Sequence, residues 1–360
     1  MPEGDPHLRV VILAGGIGSR FWPASLPSRP KPLLALGRSD RPLLVETVER
    51  ALALAPVEHA AILAGEHLAA PFLSALPGFP SEQLWIEPRA RGTAPVLAWA
   101  AHRILRVDPK GVMVSLHSDH VVFPEATFLS DVRGGASLAA REDLLLTIAA
   151  TPDRPETGYG YLRPGAPLAS NAGEPEAFRL DAFVEKPDEA TARDYIARGY
   201  LWNTGIFIFP VARFLEEIRL HAPEIGDRLE LLDGNEDGRF FDEVPSISVD
   251  EAVMARSGRA GALRASFSWD DVGGWEALTR TLTLDPMGNA FHGDVHALDT
   301  RTTVAWAEDG PIVLFGVEGL VVVRSGGVTL VTSRERAPRL KELLAELPAE
   351  LREGAAGGEG

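Results

Sequence analysis

The 360-residue sequence predicts an α/β fold followed by a smaller β unit. Three observations carry this expectation. Apolar runs of strand length alternate with helical patterns through about residue 150, as βαβ units of a parallel sheet require. The first of these runs opens directly into a glycine loop, Ala14-Gly15-Gly16-Ile17-Gly18-Ser19-Arg20. After Gly293 the pattern changes to short β-branched runs between glycines, the mark of a small β domain.

The expected strands of the first half are Arg9–Leu13, Ala60–Ala64, Leu84–Glu87, Val112–Leu116 and Leu144–Ala149, each too short and too uniformly apolar for an amphipathic helix. Between them Leu43–Leu54, Thr93–Val107 and Ala126–Arg141 carry helical periodicity. The order implies a Rossmann-like, mixed but mostly parallel sheet flanked by helices. Ligands of such sheets sit beyond the carboxyl ends of the strands, so the loops after Leu13, Ile86 and Leu116 are expected to converge on one crevice. The middle of the chain mixes strands (Phe178–Glu185, Ile206–Phe209) with helices (Val211–Leu220, Val249–Ser257) and is expected to extend the same domain. Strands at Ile312–Val317, Leu320–Arg324 and Val328–Thr332 follow, and then a helix near Ala337–Leu347. The resulting domain plan is 1–290 catalytic, 291–336 small β domain, 337–352 C-terminal helix and 353–360 a low-complexity, disordered tail.

Composition bounds the function. With 45% hydrophobic and 24% charged residues the chain reads as an ordinary globular protein. A formal charge of −16 argues against nucleic acid as partner, because that binding depends on many Lys/Arg–phosphate contacts. The absence of cysteine excludes disulfides, thiolate metal sites and cysteine nucleophiles. The acidic start Met1-Pro2-Glu3-Gly4-Asp5-Pro6 lacks the features of a signal peptide, and no apolar run reaches membrane-spanning length, so a cytoplasmic protein without membrane contact is expected. Lysine occurs only at Lys31, Lys110, Lys186 and Lys341 among many arginines, which draws attention to Lys31 and Lys186 as compact point charges beside motifs.

Glycines after a strand let backbone N–H groups approach an anion, and a following helix start would add a favourable dipole. The loop matches neither common phosphate template. A P-loop would end Gly-Lys-Ser/Thr, whereas this one ends Gly18-Ser19-Arg20, and the dinucleotide fingerprint would need a small residue where Phe21 stands. A plain strand-to-helix turn remains an alternative. The clustering of Arg20, Arg29 and Lys31 in an acidic protein favours a polyphosphate.

Leu13 to Pro23 with Pro30-Lys31-Pro32 resembles the signature of the sugar-1-phosphate nucleotidylyltransferases, and within them the mannose-1-phosphate guanylyltransferases. The resemblance continues in order through Glu87-Pro88 and Arg91-Gly92-Thr93, His117-Ser118-Asp119-His120, Pro155 to Tyr161, Phe183 to Asp188, Trp202 to Phe207, Ser246 to Met254 and Trp269 to Trp275. Two departures stand out. Relatives carry Pro-Ala-Asp-His where this chain has His117-Ser118-Asp119-His120, and Gly-Arg-Asn-Thr where it has Ala90-Arg91-Gly92-Thr93, which bears on the choice of base.

The resemblance implies transfer of GMP from GTP to mannose 1-phosphate, giving GDP-mannose and pyrophosphate, with Mg²⁺ or another divalent cation. Leu13, Ala14, Gly15, Gly16, Gly18, Ser19, Arg20, Lys31, Glu87, Thr93 and Ser118 would hold the nucleotide; Gly160, Glu185, Lys186 and Asn203 the sugar phosphate; Asp119 and Asp271 the metal. Arg20, Lys31, Asp119, Lys186 and Asp271 would carry the chemistry. It also implies that the small β domain is an abbreviated left-handed β-helix, and it makes a homodimer plausible. A single activity is expected, because the isomerase module that some relatives carry would lie beyond the end of this chain.

Plainer readings stand beside these. Asp119 could cap a helix, Asp270 and Asp271 could form a turn, and His117 and His120 with Asp119 could suit zinc, although phosphate chemistry prefers oxygen ligands. Glu185 and Lys186 could be a surface ion pair; on a regular strand their side chains point to opposite faces, and Pro187 should keep Lys186 extended. Trp202, Trp269 and Trp275 read as core residues bordering a site. Alternatives for the whole protein are another nucleotide or glucose 1-phosphate on the same fold, or a non-catalytic nucleotide-sugar-binding regulator; retention of the five chemical residues argues against the last.

Overall fold

In the computed structural model, residues 5–16, 18–169, 171 and 174–353 are described. Met1–Gly4 and most of the expected tail, residues 354–360, lie outside them. The first strands are β1 (Leu8–Leu13), β2 (Ala60–Gly65), β3 (Leu84–Glu87), β4 (Val112–His117), β5 (Val121–Phe123) and β6 (Leu145–Ala150). Then come β7 (Gly160–Pro167), β8 (Ala177–Glu185), β9 (Leu201–Pro210), β10 (Ala260–Arg264) and β11 (Ser268–Asp270). A nine-stranded sheet has the order β3-β2-β1-β4-β9-β6-β10-β8-β7. Its first four strands are mutually parallel, and β6 and β10 are parallel to each other. Strands β9 and β8 run against their neighbours, which gives the mixed sheet expected.

The alternation along β1 shows why the strand reads as uniformly apolar. Val10 and Ile12 enter one core with helices α1 (Leu43–Leu54), α2 (Ala69–Ala75) and part of α4 (Glu125–Glu142). Val11 and Leu13 enter the other, with α3 (Thr93–Val107) and α6 (Val211–His221); α5 is Glu189–Ala197. Both faces are covered, so every position is apolar.

Beyond the sheet, β12 (Ala290–Leu298), β13 (Val304–Phe315) and β14 (Leu320–Ser325) stack in parallel, with Ala290, Val304 and Val321 in register, and β15 (Val328–Ser333) closes the stack antiparallel. This β-helix-like unit is not separate from the large α/β part. Val304, Trp306, Val321 and Val323 share a core with Phe21, Trp22, Leu34 and Trp275, and Leu340 and Leu344 of the C-terminal helix complete it.

Four local expectations change. The glycine loop leads into one turn of 3-10 helix, Ser19–Phe21, rather than an α-helix, so no helix dipole aims at the loop. The helix expected at Val249–Ser257 is a five-residue π-helix, Asp250–Met254. The C-terminal helix is interrupted: a 3-10 turn, Ala337–Arg339, precedes Leu340–Glu346, and Ala349–Glu353 follows as a separate helix. Pro348 explains the break, since it holds Leu347 extended at ψ 145. Lys186 is not extended but sits at φ 46, in the left-handed region.

Candidate active site

Strands β1 and β4 lie side by side with Leu13 opposite His117, so their following loops open at one edge of the sheet. Ala14 N donates to Leu63 O at 3.0 Å and Ser118 N to Leu13 O at 3.0 Å, pinning the first residues of both loops. Gly15 and Gly16 are exposed at the rim with nothing within 4 Å of where a Cβ would stand. Gly18 has the opposite situation. At φ 73 its absent Cβ would fall 2.3 Å from Lys31 Cβ, so only glycine lets Lys31 pass against the loop.

A cleft of about 310 Å³ lies there, and Gly18, Ser19, Arg20, Lys31, Asp119 and Asp271 line it. Six predicted residues from three distant parts of the chain therefore meet. Lys31 is buried; its Nζ donates to Asp119 Oδ2 at 2.8 Å and to the Asp271 carbonyl oxygen at 2.5 Å. Burial raises the Asp119 carboxyl, but the Lys31 ammonium beside it prevails and holds it well below the usual carboxylate range. The Asp271 carboxylate accepts a hydrogen bond from Tyr159 Oη, and burial nonetheless pushes it up. Asp270 is different: its two oxygens take Arg280 Nε at 2.5 Å and Nη2 at 3.1 Å, and Oδ1 also accepts from Val272 N at 2.8 Å. Val272 is thereby held at φ 49, a conformation that costs a β-branched residue on the order of 1–2 kcal/mol. That strain, beside Asp271, is of the kind functional sites store.

The Asp119 carboxylate and the Asp271 carbonyl oxygen meet at the Lys31 ammonium, with the Asp271 carboxylate held by Tyr159 Oη at the same cleft; oxygen donors of this kind suit a hard divalent cation. His117, Asp119 and His120 also offer ligand atoms within 4.8 Å of one another. His120 Nδ1, however, accepts from Trp269 Nε1 at 3.1 Å, so the neutral ring carries its proton on Nε2 and has no lone pair left for a metal. The zinc alternative loses a ligand on this ground.

The four residues expected at the sugar phosphate, Gly160, Glu185, Lys186 and Asn203, form a second group outside that cleft. Gly160 pairs with Glu185 across β7 and β8, and the Glu185 carboxylate pairs with Lys186 Nζ. The left-handed turn at Lys186 is what defeats strand alternation and lets neighbouring side chains converge. Asn203 Oδ1 accepts from Thr147 Oγ1 at 2.8 Å, and its Nδ2 donates to Asp250 Oδ1 at 2.8 Å. Burial, with the Glu185 charge nearby, pushes the Asp250 carboxyl up to about 7. Tyr159 ties this group to the first, since its carbonyl accepts from Lys186 N at 3.2 Å while its hydroxyl holds Asp271.

On the other side, Glu87 Oε1 accepts from Arg91 N at 3.3 Å, and Thr93 Oγ1 accepts from Val249 N at 2.9 Å. Between them Gly92 adopts φ 79 and ψ −179, and a Cβ there would lie 2.6 Å from Ile247 O. The asparagine expected from relatives does not fit this backbone. Ser118 is buried behind the cleft, and Leu13 and Ala14 are buried at the end of β1.

Arg29 does not join the site. It reaches Glu308 on β13 at 2.6 Å, and a different cation, Lys341, lines the cleft instead. Sequence reading also missed Asp250 and Tyr159, although both lie inside quoted motifs. Trp275 and Trp202 are buried core residues, as expected.

The profile of the nucleotidyl transferase family matches residues 9–285, which takes in both groups. The chain belongs to the nucleotidyl transferase family. A second profile, the mannose-phosphate isomerase/GMP-like β-helix domain, matches residues 293–347, where the stacked strands and the first C-terminal helix lie. Among curated relatives, the xanthan biosynthesis protein XanB of Xanthomonas campestris pv. campestris (strain B100) is 37% identical over 349 residues, covering 94% of this transferase and 72% of its own length. A mannose-1-phosphate guanylyltransferase of Escherichia coli (strain K12) is 36% identical over 356 residues, covering 94% and 73%. Among solved structures, one described as mannose-1-phosphate geranyltransferase from Thermus thermophilus superposes with a TM-score of 0.85 at 32% identity, covering 94% of this chain and 98% of that one.

Proposed function

We propose that this nucleotidyl transferase moves GMP from GTP to α-D-mannose 1-phosphate, yielding GDP-mannose and pyrophosphate. The observation that carries the reading is Lys31, packed against the glycine loop at Gly18 and bound to the Asp119 carboxylate and the Asp271 carbonyl oxygen. The relatives of known activity supply the choice of nucleotide and sugar.

A sugar phosphate is largely dianionic at neutral pH, with a second pKa of about 6, so its oxygen needs no catalytic base. The work left to the protein is alignment and charge neutralisation. The sugar-phosphate oxygen attacks the α-phosphorus in line, and the bond to the β-phosphate oxygen breaks, releasing pyrophosphate. Gly15, Gly16, Gly18 and Ser19 would offer the backbone to the triphosphate. Arg20, whose one hydrogen bond among the described residues is a long one to Gly273 O at 3.4 Å, is free to meet it. Lys31 would turn from Asp119 toward the phosphates. Asp119 and Asp271 would hold a divalent cation, which supplies charge neutralisation at the phosphates. Glu185, Asn203 and Gly160 would position the sugar, Lys186 its phosphate, and Glu87, Thr93 and Ser118 the nucleoside. Among the described residues, no helix is long and apolar enough to cross a membrane.

Pyrophosphate release by the purified protein with Mg²⁺, over a matrix of GTP, ATP, dTTP and UTP against mannose and glucose 1-phosphates, tests the proposal. GTP with mannose 1-phosphate should turn over fastest. Preference for another pair overturns the substrate assignment, and no turnover with any pair overturns the enzyme reading.

A further inference from the structure

We infer that Lys341, delivered by the helix that follows the β-helix-like unit, binds the terminal phosphates of the nucleoside triphosphate and of the departing pyrophosphate. The inference rests on the nucleotide reading of the cleft and adds a residue that no sequence motif marks.

Charge is the first argument. Of the three cations that the sequence clusters near the loop, Arg29 is spent on Glu308, and Lys31 is bound to Asp119. Arg20 faces outward and Lys31 must first turn from Asp119, so this loop offers a triphosphate two cations at most. Lys341 lines the same cleft as Arg20, Lys31 and Asp119. It is exposed, and among the described residues it makes no hydrogen bond or ion pair. The carboxylate next to it along the helix is no competitor, because Glu342 is held by Arg339 at 2.8 and 2.6 Å. A lysine is a compact, well-suited phosphate ligand, and among the described residues this one has no anionic partner.

Placement is the second argument. Leu340 and Leu344 on either side are buried with Phe21 and Trp22, the residues that directly follow Ser19 and Arg20. Trp22 Nε1 also donates to Leu351 O at 3.0 Å, and Trp275 Nε1 donates to Trp22 O at 3.1 Å. Leu340 and Leu344 thus pack the helix Leu340–Glu346 beside the phosphate loop, and Leu351 ties the following helix to Trp22, so Lys341 is carried by a packed element rather than by a free tail. Its position beside Ser19 and Arg20 assigns it the end of the triphosphate that leaves, while Lys186 stands in the separate sugar group.

The test compares Lys341→Met and Lys341→Arg with wild type and with Lys110→Met as a control, because Lys110 lies away from the cleft. Equilibrium binding of GTP, pyrophosphate and GDP-mannose is measured with Mg²⁺, alongside the melting temperature. Losing one charge-assisted hydrogen bond should weaken GTP and pyrophosphate about tenfold to a hundredfold in Lys341→Met. GDP-mannose, which has no third phosphate, should stay within about twofold, and Lys341→Arg should recover most of the loss. Equal weakening of all three ligands with a lowered melting temperature would make Lys341 a mere prop for the helix and overturn the inference. Unchanged binding of all three would overturn it too. Failure of wild type to bind GTP or pyrophosphate would instead strike the nucleotide reading.

Discussion

At the scale of single residues, the site turns on close contacts that the sequence hints at unevenly. Gly18 and Lys31 are separated by a dozen residues, yet one exists in its form because of the other. Gly18→Ala would force both a left-handed alanine and a collision with the Lys31 stem. Its activity should fall by about a hundredfold, on the order of displacing one preorganised charge, with only a modest drop in melting temperature. Steady-state kinetics and a melting curve check this. Lys31→Met should lower kcat about 100- to 1,000-fold, the usual cost of removing one preorganised transition-state contact. Arg29→Met, which breaks only a half-exposed pair with Glu308, should stay within about threefold. Equal losses in the two variants would place the arginine in the site after all. The pair also shows where reading along the chain fails: Arg29 and Lys31 look alike in sequence, and only the tertiary partner Glu308 tells them apart.

At the scale of elements, the strands and main helices of the first half were legible because both faces of the sheet are buried and the periodicity is clean. What was not legible lies at the ends of elements. Pro187 argues for an extended Lys186, yet the residue just past β8 is left-handed, and that bend brings Glu185 and Lys186 together. Likewise, no periodicity announces the π-helix that carries Asp250 to Asn203. The segment Ser246–Met254 links the Arg91–Thr93 side of the site to the Glu185–Asn203 side, since Ile247 N donates to Arg91 O at 3.1 Å and Asp250 accepts from Asn203. Gly92→Asn, which restores the residue of relatives, should destabilise the protein by about 1–3 kcal/mol, because this backbone region is essentially restricted to glycine. A denaturant titration reads it.

Asp250 gives a signed pH prediction at the same scale. Burial, then the Glu185 charge, raises its folded pKa to about 7 from an ordinary 3.8. The folded state therefore favours the neutral acid, and the penalty for ionising it grows as pH rises from about 4 to 7 and then levels off. Asp250→Asn removes the charge while keeping an acceptor for Asn203 Nδ2. Its gain in melting temperature over wild type should be largest at pH 8 and shrink toward pH 5. A gain that does not change with pH would contradict the buried-acid account.

At the scale of the molecule, the β-helix-like unit and the C-terminal helices share one core with the residues that follow the glycine loop, which on the proposed function makes them part of the nucleotide machinery. The core that joins Trp306 and Leu344 to Phe21 and Trp22 ties the glycine loop to residues far along the chain, Leu344 more than 300 positions away. Sequence motifs could reveal Lys31 and Asp119 through their neighbours, but Lys341 has no motif around it and becomes meaningful only once the chain has folded back. The central claim is that a sugar-phosphate oxygen attacks the α-phosphorus of GTP in this cleft. The most direct measurement uses mannose 1-phosphate labelled with ¹⁸O in its non-bridging phosphoryl oxygens and follows products by ³¹P NMR. The label should appear in the oxygen bridging the two phosphates of GDP-mannose, with unlabelled pyrophosphate released. Label in the pyrophosphate, or no GDP-mannose at all, would contradict the account.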